Sequence, residues 1–181
     1  MRYRCPWCNG DDLYQKYHDE EWGRPIHDDR KLFEFILLES AQAGLSWITI
    51  LKKRENYRLA FEGFDPVRVS QFDEKKIEEL MLDAGIVRNR RKIESAIGNA
   101  RAFIKIQHEF GSFDRYIWEY VGFSPLINRF DRLDEMPAKT ELSEKISKDL
   151  KKRGFNFVGP VIVYSFMQAI GMVNDHLVEC Y

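Results

Sequence analysis

Leu150-Lys151-Lys152-Arg153-Gly154-Phe155-Asn156-Phe157-Val158-Gly159-Pro160 is the stretch on which the fold turns. Upstream of it Leu142, Ile146 and Leu150 recur at helical spacing, behind Thr140 or Ser143 as a cap. Gly154 can end that helix in the left-handed conformation, and Gly159-Pro160 can start a second one running from Val161 to Ala169. The stretch therefore reads as a hairpin between two apolar helices, at about 141–170. Free backbone N–H groups at the second helix's start bind phosphate without regard to sequence, and Lys-Lys-Arg supplies the electrostatic part of DNA binding. Lys151, Lys152, Arg153, Gly154 and Gly159 are therefore candidate DNA contacts. Arg88, Arg90, Arg91 and Lys92 form a second basic cluster and Lys52-Lys53-Arg54 a third, either of which could extend the patch. The plainer alternative is a solvated turn with ordinary surface lysines.

Outward from the hairpin the rest of the chain also reads as helix. Asp28 or Asp29 caps a segment with Leu32, Phe35, Ile36, Glu39 and Ala43 on one stripe, closed near Gly44. Ser46 opens the next segment, Asp65-Pro66 another, and Asp73 one that ends near Gly85. Ile93, Ile97, Ala100 and Ile104 mark a long helix stopped by Gly111, and Ser112 to Gly122 a short aromatic one. Ser124 to Thr140 is a loop punctuated by Pro125 and Pro137. The expectation is an all-α protein of eight or nine helices without a sheet, forming one compact domain over residues 1–181.

A chain of 181 residues, 44% hydrophobic, can bury one good core, or two small lobes sharing one. Charged residues make up 31% with a net charge of −1, so nucleic-acid binding needs a local patch. No apolar run approaches the ~20 residues of a membrane span, and the N-terminus has no hydrophobic signal region. Three cysteines, an odd number, argue against a secreted disulfide framework and for a reducing compartment, hence a cytoplasmic protein.

Cysteine and histidine gather at the two ends. Cys5 and His18 lie near the start, His176 and Cys180 near the finish. On a helix, His176 and Cys180 would share one face, and thiolate plus imidazole is the donor set zinc favours. Such a site would clip one end of the fold, residues 5–18, to the other, 176–180. Cys8 makes a Cys5-x-x-Cys8 pair, so a Cys5, Cys8, His176, Cys180 set competes on spacing.

Glu39 has apolar neighbours at −3, −4, −7 and +4, which puts it on the core stripe; Glu34 falls elsewhere on the wheel. A carboxylate there loses hydration, and its pKa rises unless a cation or several donors compensate. It is either a structural ion pair or a pocket acid awaiting a cationic or donor-rich ligand. Trp7, Tyr14, Tyr17 and Trp22 crowd around His18, and Trp47 follows Glu39 by eight residues. Aromatic walls about one carboxylate suit a flat, electron-poor guest, although each ring alone reads as core.

Arg4-Cys5-Pro6-Trp7, Tyr17-His18-Asp19-Glu20-Glu21-Trp22-Gly23, Leu38-Glu39-Ser40-Ala41-Gln42-Ala43-Gly44-Leu45-Ser46-Trp47, Leu150 to Phe155 and Val173-Asn174-Asp175-His176 resemble the bacterial DNA-3-methyladenine glycosylase I family, over essentially the whole chain. The resemblance implies a helix-hairpin-helix repair fold, one structural zinc ion joining the termini, and excision of 3-methyladenine from alkylated double-stranded DNA. It implies Cys5, His18, His176 and Cys180 as zinc ligands, Glu39 as the pocket carboxylate on the adenine edge, Trp47 as a stacking wall and Tyr17 as a second pocket residue. Trp7, Tyr14 and Trp22 would complete the lining. Two positions depart from the pattern: Ser40 stands where glycine is common, and Val161 replaces a hydroxyl residue. Related helix-hairpin-helix glycosylases place an aspartate soon after the hairpin; Asp175 is the nearest candidate, although the resemblance implies that this acid is lacking. No lysine is evident for a Schiff base, so a hydrolase without strand cleavage is expected. The rival reading is a zinc-stabilised DNA-binding module with no chemistry.

Overall fold

Thr140 and Ser143 cap each other's backbone N–H groups at 2.9 and 3.2 Å and so start the helix that leads into the hairpin. In the computed structural model, which describes residues 3–180, this helix runs over Glu141–Lys152, and the next over Pro160–Ala169. Gly154 turns the chain between them at φ +99°, a conformation that glycine adopts without a Cβ clash. The turn is braced from outside. Asn99, buried in the long helix, donates to the Asn156 carbonyl at 3.0 Å and accepts from its N–H at 2.8 Å. Ser147 donates to the Val158 carbonyl at 2.6 Å.

Among the described residues the helices are α1 (Asp12–Glu20), α2 (Asp29–Gln42), α3 (Trp47–Ala60), α4 (Pro66–Ser70), α5 (Glu74–Leu82), α6 (Arg90–Phe110), α7 (Phe113–Glu119), α8 (Glu141–Lys152) and α9 (Pro160–Ala169). The expected all-α character holds, with Asp28, Asp65, Asp73, Ser112 and Thr140 acting as caps. Ser46 precedes α3 without capping its backbone; its hydroxyl pairs with Thr49 at 2.7 Å instead. Helix α1 was not legible as an element, because its aromatic residues face a cavity and its polar ones solvent. Residues 1, 2 and 181, the ends of the expected domain, lie outside the described residues.

Helix α2 packs against α3, α6, α7 and α9, which encloses it on every side: Leu32 through Ala41 are all buried. The stripe read from the sequence is therefore too narrow, and Glu34, placed off it, is buried as well. The expected absence of a sheet needs a small correction. Within the 124–140 loop Leu126–Ile127 forms β1, which pairs in parallel with β2 (Val173–Asn174), Leu126 opposite Val173. The pair stitches the loop to the segment after α9.

The two ends of the chain meet beside α9. Gly23 N–H donates to the Gln168 carbonyl at 3.0 Å and Ile26 N–H to that of Ile170 at 2.9 Å. Gly171, at φ +72°, has no room for a side chain: a Cβ would sit 2.1 Å from the Arg24 carbonyl carbon. No described helix is long and apolar enough to cross a membrane. Replacing Asn99 with alanine removes both hydrogen bonds to the hairpin turn, so a loss of about 1–2 kcal/mol is expected, or roughly 3–6 °C in Tm for a chain of this size. An unchanged melting curve for N99A would show that the turn is held elsewhere.

Candidate active site and metal cluster

Two acids on α2, five residues apart, are both almost fully buried, at 2% exposure for Glu34 and 3% for Glu39. Their surroundings are opposite. Glu34 accepts from Arg54 Nε at 2.6 Å and Arg58 Nη2 at 3.1 Å, an ion pair that offsets its lost hydration. Among the described residues Glu39 has no such partner, and its Oε2 is buried without a hydrogen bond. Desolvation alone pushes its carboxyl well above the usual range of 4.5. Its place in the last turn of α2, near the negative end of the helix dipole, disfavours the anion further.

Glu39 opens onto a cavity of about 260 Å³. Trp7, Tyr14, Tyr17, Trp22 and Trp47 all line it, so the structure brings together every aromatic residue singled out in the sequence. Tyr17 and Trp47 stand 5.5 Å apart between ring centres, and Trp7 packs on Tyr14 and Trp22 at 4.8 and 4.9 Å. Trp47 Nε1 is a second buried polar atom with no partner. Burial, reinforced by the nearby Glu39 charge, raises the Tyr17 phenol far above its ordinary value, so it remains a hydroxyl donor at neutral pH. Gln42, Leu133, Met136, Ser165 and Gln168 complete the lining and were not foreseen. Leu133 and Met136 come from the loop after α7, whose sequence shows no periodicity, and only the fold brings it over the mouth of the cavity.

Lys92 was read as part of a basic surface cluster. Its ammonium instead donates to the Ala41 and Ala43 carbonyls at 2.8 and 2.6 Å, closing the end of α2 beside the cavity rim. Ser40, the residue in place of glycine, is buried with its hydroxyl unpartnered. Asp175 does not face the cavity. It is fully buried and accepts from Asn128, Tyr164 and Gln168.

Cys5, His18, His176 and Cys180 come together with their donor atoms all within 4.8 Å of one another. The Cys180 sulfur lies 3.2 Å from His176 Nδ1 and 3.2 Å from His18 Nε2. A tetrahedral ion with two sulfur and two nitrogen ligands spaces its donors roughly 3.3–3.8 Å apart, so small adjustments would close the set. The remaining ring nitrogens are oriented: His18 Nδ1 by Asp19 at 2.8 Å, His176 Nε2 by the Trp22 carbonyl at 2.9 Å. Cys8 is outside the cluster, its thiol donating to the Cys5 carbonyl at 3.2 Å, which removes the competing ligand set. The 176–180 segment is a turn rather than the expected helix, closed by Cys180 N–H on the Leu177 carbonyl at 2.8 Å. The cluster also buttresses the cavity, since Trp7 and Trp22 pack on the His18 ring at 5.2 and 6.0 Å.

At the hairpin Lys151, Lys152 and Gly154 are exposed, Gly159 is partly so, and Val161 is open to solvent. Arg153 differs from the basic contact expected of it. Its guanidinium pairs with Asp149 and Glu109 at 2.7 Å each and lies over Phe110 and Tyr116. Arg90 is held likewise by Glu74, Glu78 and Glu94, and Arg54 by Glu21 and Glu34, whereas Arg88 and Arg91 of the second cluster are exposed.

Known proteins share this chain's sequence and fold over nearly its whole length. The family model described as methyladenine glycosylase matches residues 7–181. DNA-3-methyladenine glycosylase 1 of Escherichia coli (strain K12) is 53% identical over 177 residues, which cover 98% of this chain and 95% of that one. A crystal structure of 3-methyladenine DNA glycosylase I superposes with a TM-score of 0.96 at 51% identity, covering 99% of this chain and 98% of the other. The Staphylococcus aureus structure solved for its recognition of 3-methyladenine gives 0.95 at 40% identity, with 98% and 94% covered. The chain belongs to the methyladenine glycosylase family, and it is an enzyme.

Because the Glu39 carboxyl is raised, the folded state favours its protonated form, and the stability this contributes is lost as pH climbs from about 4.5 through the shifted value. Glu39→Gln removes the titration. Thermal melts from about pH 4 to about pH 9 should show the variant gaining on the parent as pH rises. A difference that stays flat with pH would mean that the acid has a partner in solution.

Proposed function

We propose that this chain is a base-excision repair glycosylase that hydrolyses the N-glycosidic bond of 3-methyladenine in alkylated double-stranded DNA. The observation that carries the reading is the partnerless buried carboxylate of Glu39 inside an aromatic cavity. Methylation at N3 makes adenine cationic, weakens its pairing and improves it as a leaving group. The lesion leaves the stack at a cost of a few kcal/mol and enters the cavity, where Trp47 and Tyr17 stack on it. Glu39 accepts from the amino edge and compensates the positive charge; neutral adenine gains less in the same place. Water attacks the sugar carbon, and free base and an abasic site result. Among the described residues no lysine lines the cavity, which supports hydrolysis without strand cleavage.

Lys151, Lys152 and the backbone about Gly154 and Gly159 would contact phosphates in a helix-hairpin-helix manner, with Arg153 holding the turn. Val161 takes away one side-chain contact and leaves the backbone ones. Cys5, His18, His176 and Cys180 would hold one zinc ion. Four protein ligands leave no position for water, so its role is structural. The whole chain acts as one domain, as a monomer, in the cytoplasm.

Release of free 3-methyladenine from methylated duplex DNA tests the activity, and binding of the DNA without release would favour the non-catalytic module. Trp47→Ala should weaken base binding about tenfold or more through lost stacking. Glu39→Gln should lose about tenfold or more in affinity for the cationic base. Elemental analysis should find one zinc per chain, and stripping it should lower Tm and quench binding at the Tyr17 wall. Full thermal stability in chelator, with no zinc found, would remove the metal from this account.

A further inference from the structure

Gln168 forms part of the cavity wall and has no role in the reading above. Both hydrogens of its amide are committed: Nε2 donates to Asp175 Oδ2 at 2.8 Å and to the Met136 sulfur at 3.3 Å. Asp175 is fully buried and also accepts from the Tyr164 hydroxyl at 2.5 Å and Asn128 Nδ2 at 2.8 Å. Oδ2 already takes the Tyr164 hydroxyl, so the amide cannot turn over without setting its oxygen against Oδ2. Its Oε1 is the atom left for the cavity; among the described residues it makes no hydrogen bond, and the side chain is only partly buried.

We infer that Gln168 is a second acceptor in the pocket, fixed in polarity by Asp175, and that it selects 3-methyladenine over 3-methylguanine. The inference rests on the glycosylase reading and deepens it. A 3-methyladenine still joined to its sugar has only two N–H donors, both on the amino group at C6. Glu39 takes one and Gln168 Oε1 the other. A guanine-type lesion presents a carbonyl oxygen at C6 instead. Glu39 adapts to either, since a carboxyl that holds its proton can donate to that carbonyl. Gln168 cannot, because its donors are spent on Asp175 and Met136. Two acceptors then face each other in a dry site, which is the kind of mismatch that discriminates strongly.

Wild type, Gln168→Leu and Asp175→Asn are assayed side by side for release of 3-methyladenine and 3-methylguanine from methylated duplex DNA. The ratio of the two kcat/KM values is internal to each preparation, so a partly unfolded variant still reports it. Gln168→Leu should lower the ratio about tenfold, chiefly through slower adenine release. Asp175→Asn, which can donate to Oε1 and let the amide invert, should shift the ratio the same way although Gln168 is retained. An unchanged ratio in Gln168→Leu overturns the inference while leaving the glycosylase reading intact. Failure of wild type to release either base defeats that reading, and the inference with it.

Discussion

The structure is organised about an acid that is kept dry and left without a counter-ion. Helix α2 shows the contrast within five residues. Glu34 draws two guanidinium groups to itself, and Glu39 draws none. Burial of a carboxylate is costly wherever it occurs, so a fold that compensates one and not the other keeps the second for something outside the chain. In the proposed reading that something is a cationic purine. The aromatic rings serve the same end, since they exclude water and offer flat, negative faces to a positive ring.

Holding that cavity open requires rigid walls, and the walls come from the two ends of the chain. Trp7, Tyr14, Tyr17 and Trp22 all lie within or beside α1, a nine-residue helix at the edge of the fold. Its His18 meets His176 and Cys180 from the far terminus, and Gly23 to Ile26 lies along the end of α9. The Cys/His cluster therefore touches the cavity through packing, Trp7 and Trp22 against the His18 ring.

Helix positions were largely readable, because caps such as Asp28, Asp65, Asp73 and Thr140 and the 3.6-residue recurrence of apolar side chains are local signals. The hairpin was readable for the same reason. What failed were readings that needed a neighbour. Lys92, Arg90 and Arg153 look like free surface cations in a string of letters, yet each is committed to carbonyls or carboxylates from distant segments. His176 and Cys180 have helical spacing but sit in a turn. Cys8 has a ligand's spacing from Cys5, but its thiol points at a backbone carbonyl.

From the order of its residues alone this chain declared an all-helical architecture, a buried acid at Glu39, a crowd of rings and four metal-type donors split between the termini. Those features arise from periodicity and residue chemistry, which act over a few positions. Only the folded arrangement decided which acid stays unpaired, that the rings form one wall, and that Leu133, Met136 and Gln168 close it. Pairing and enclosure depend on contacts between segments tens of residues apart, and no local pattern encodes which distant side chain arrives.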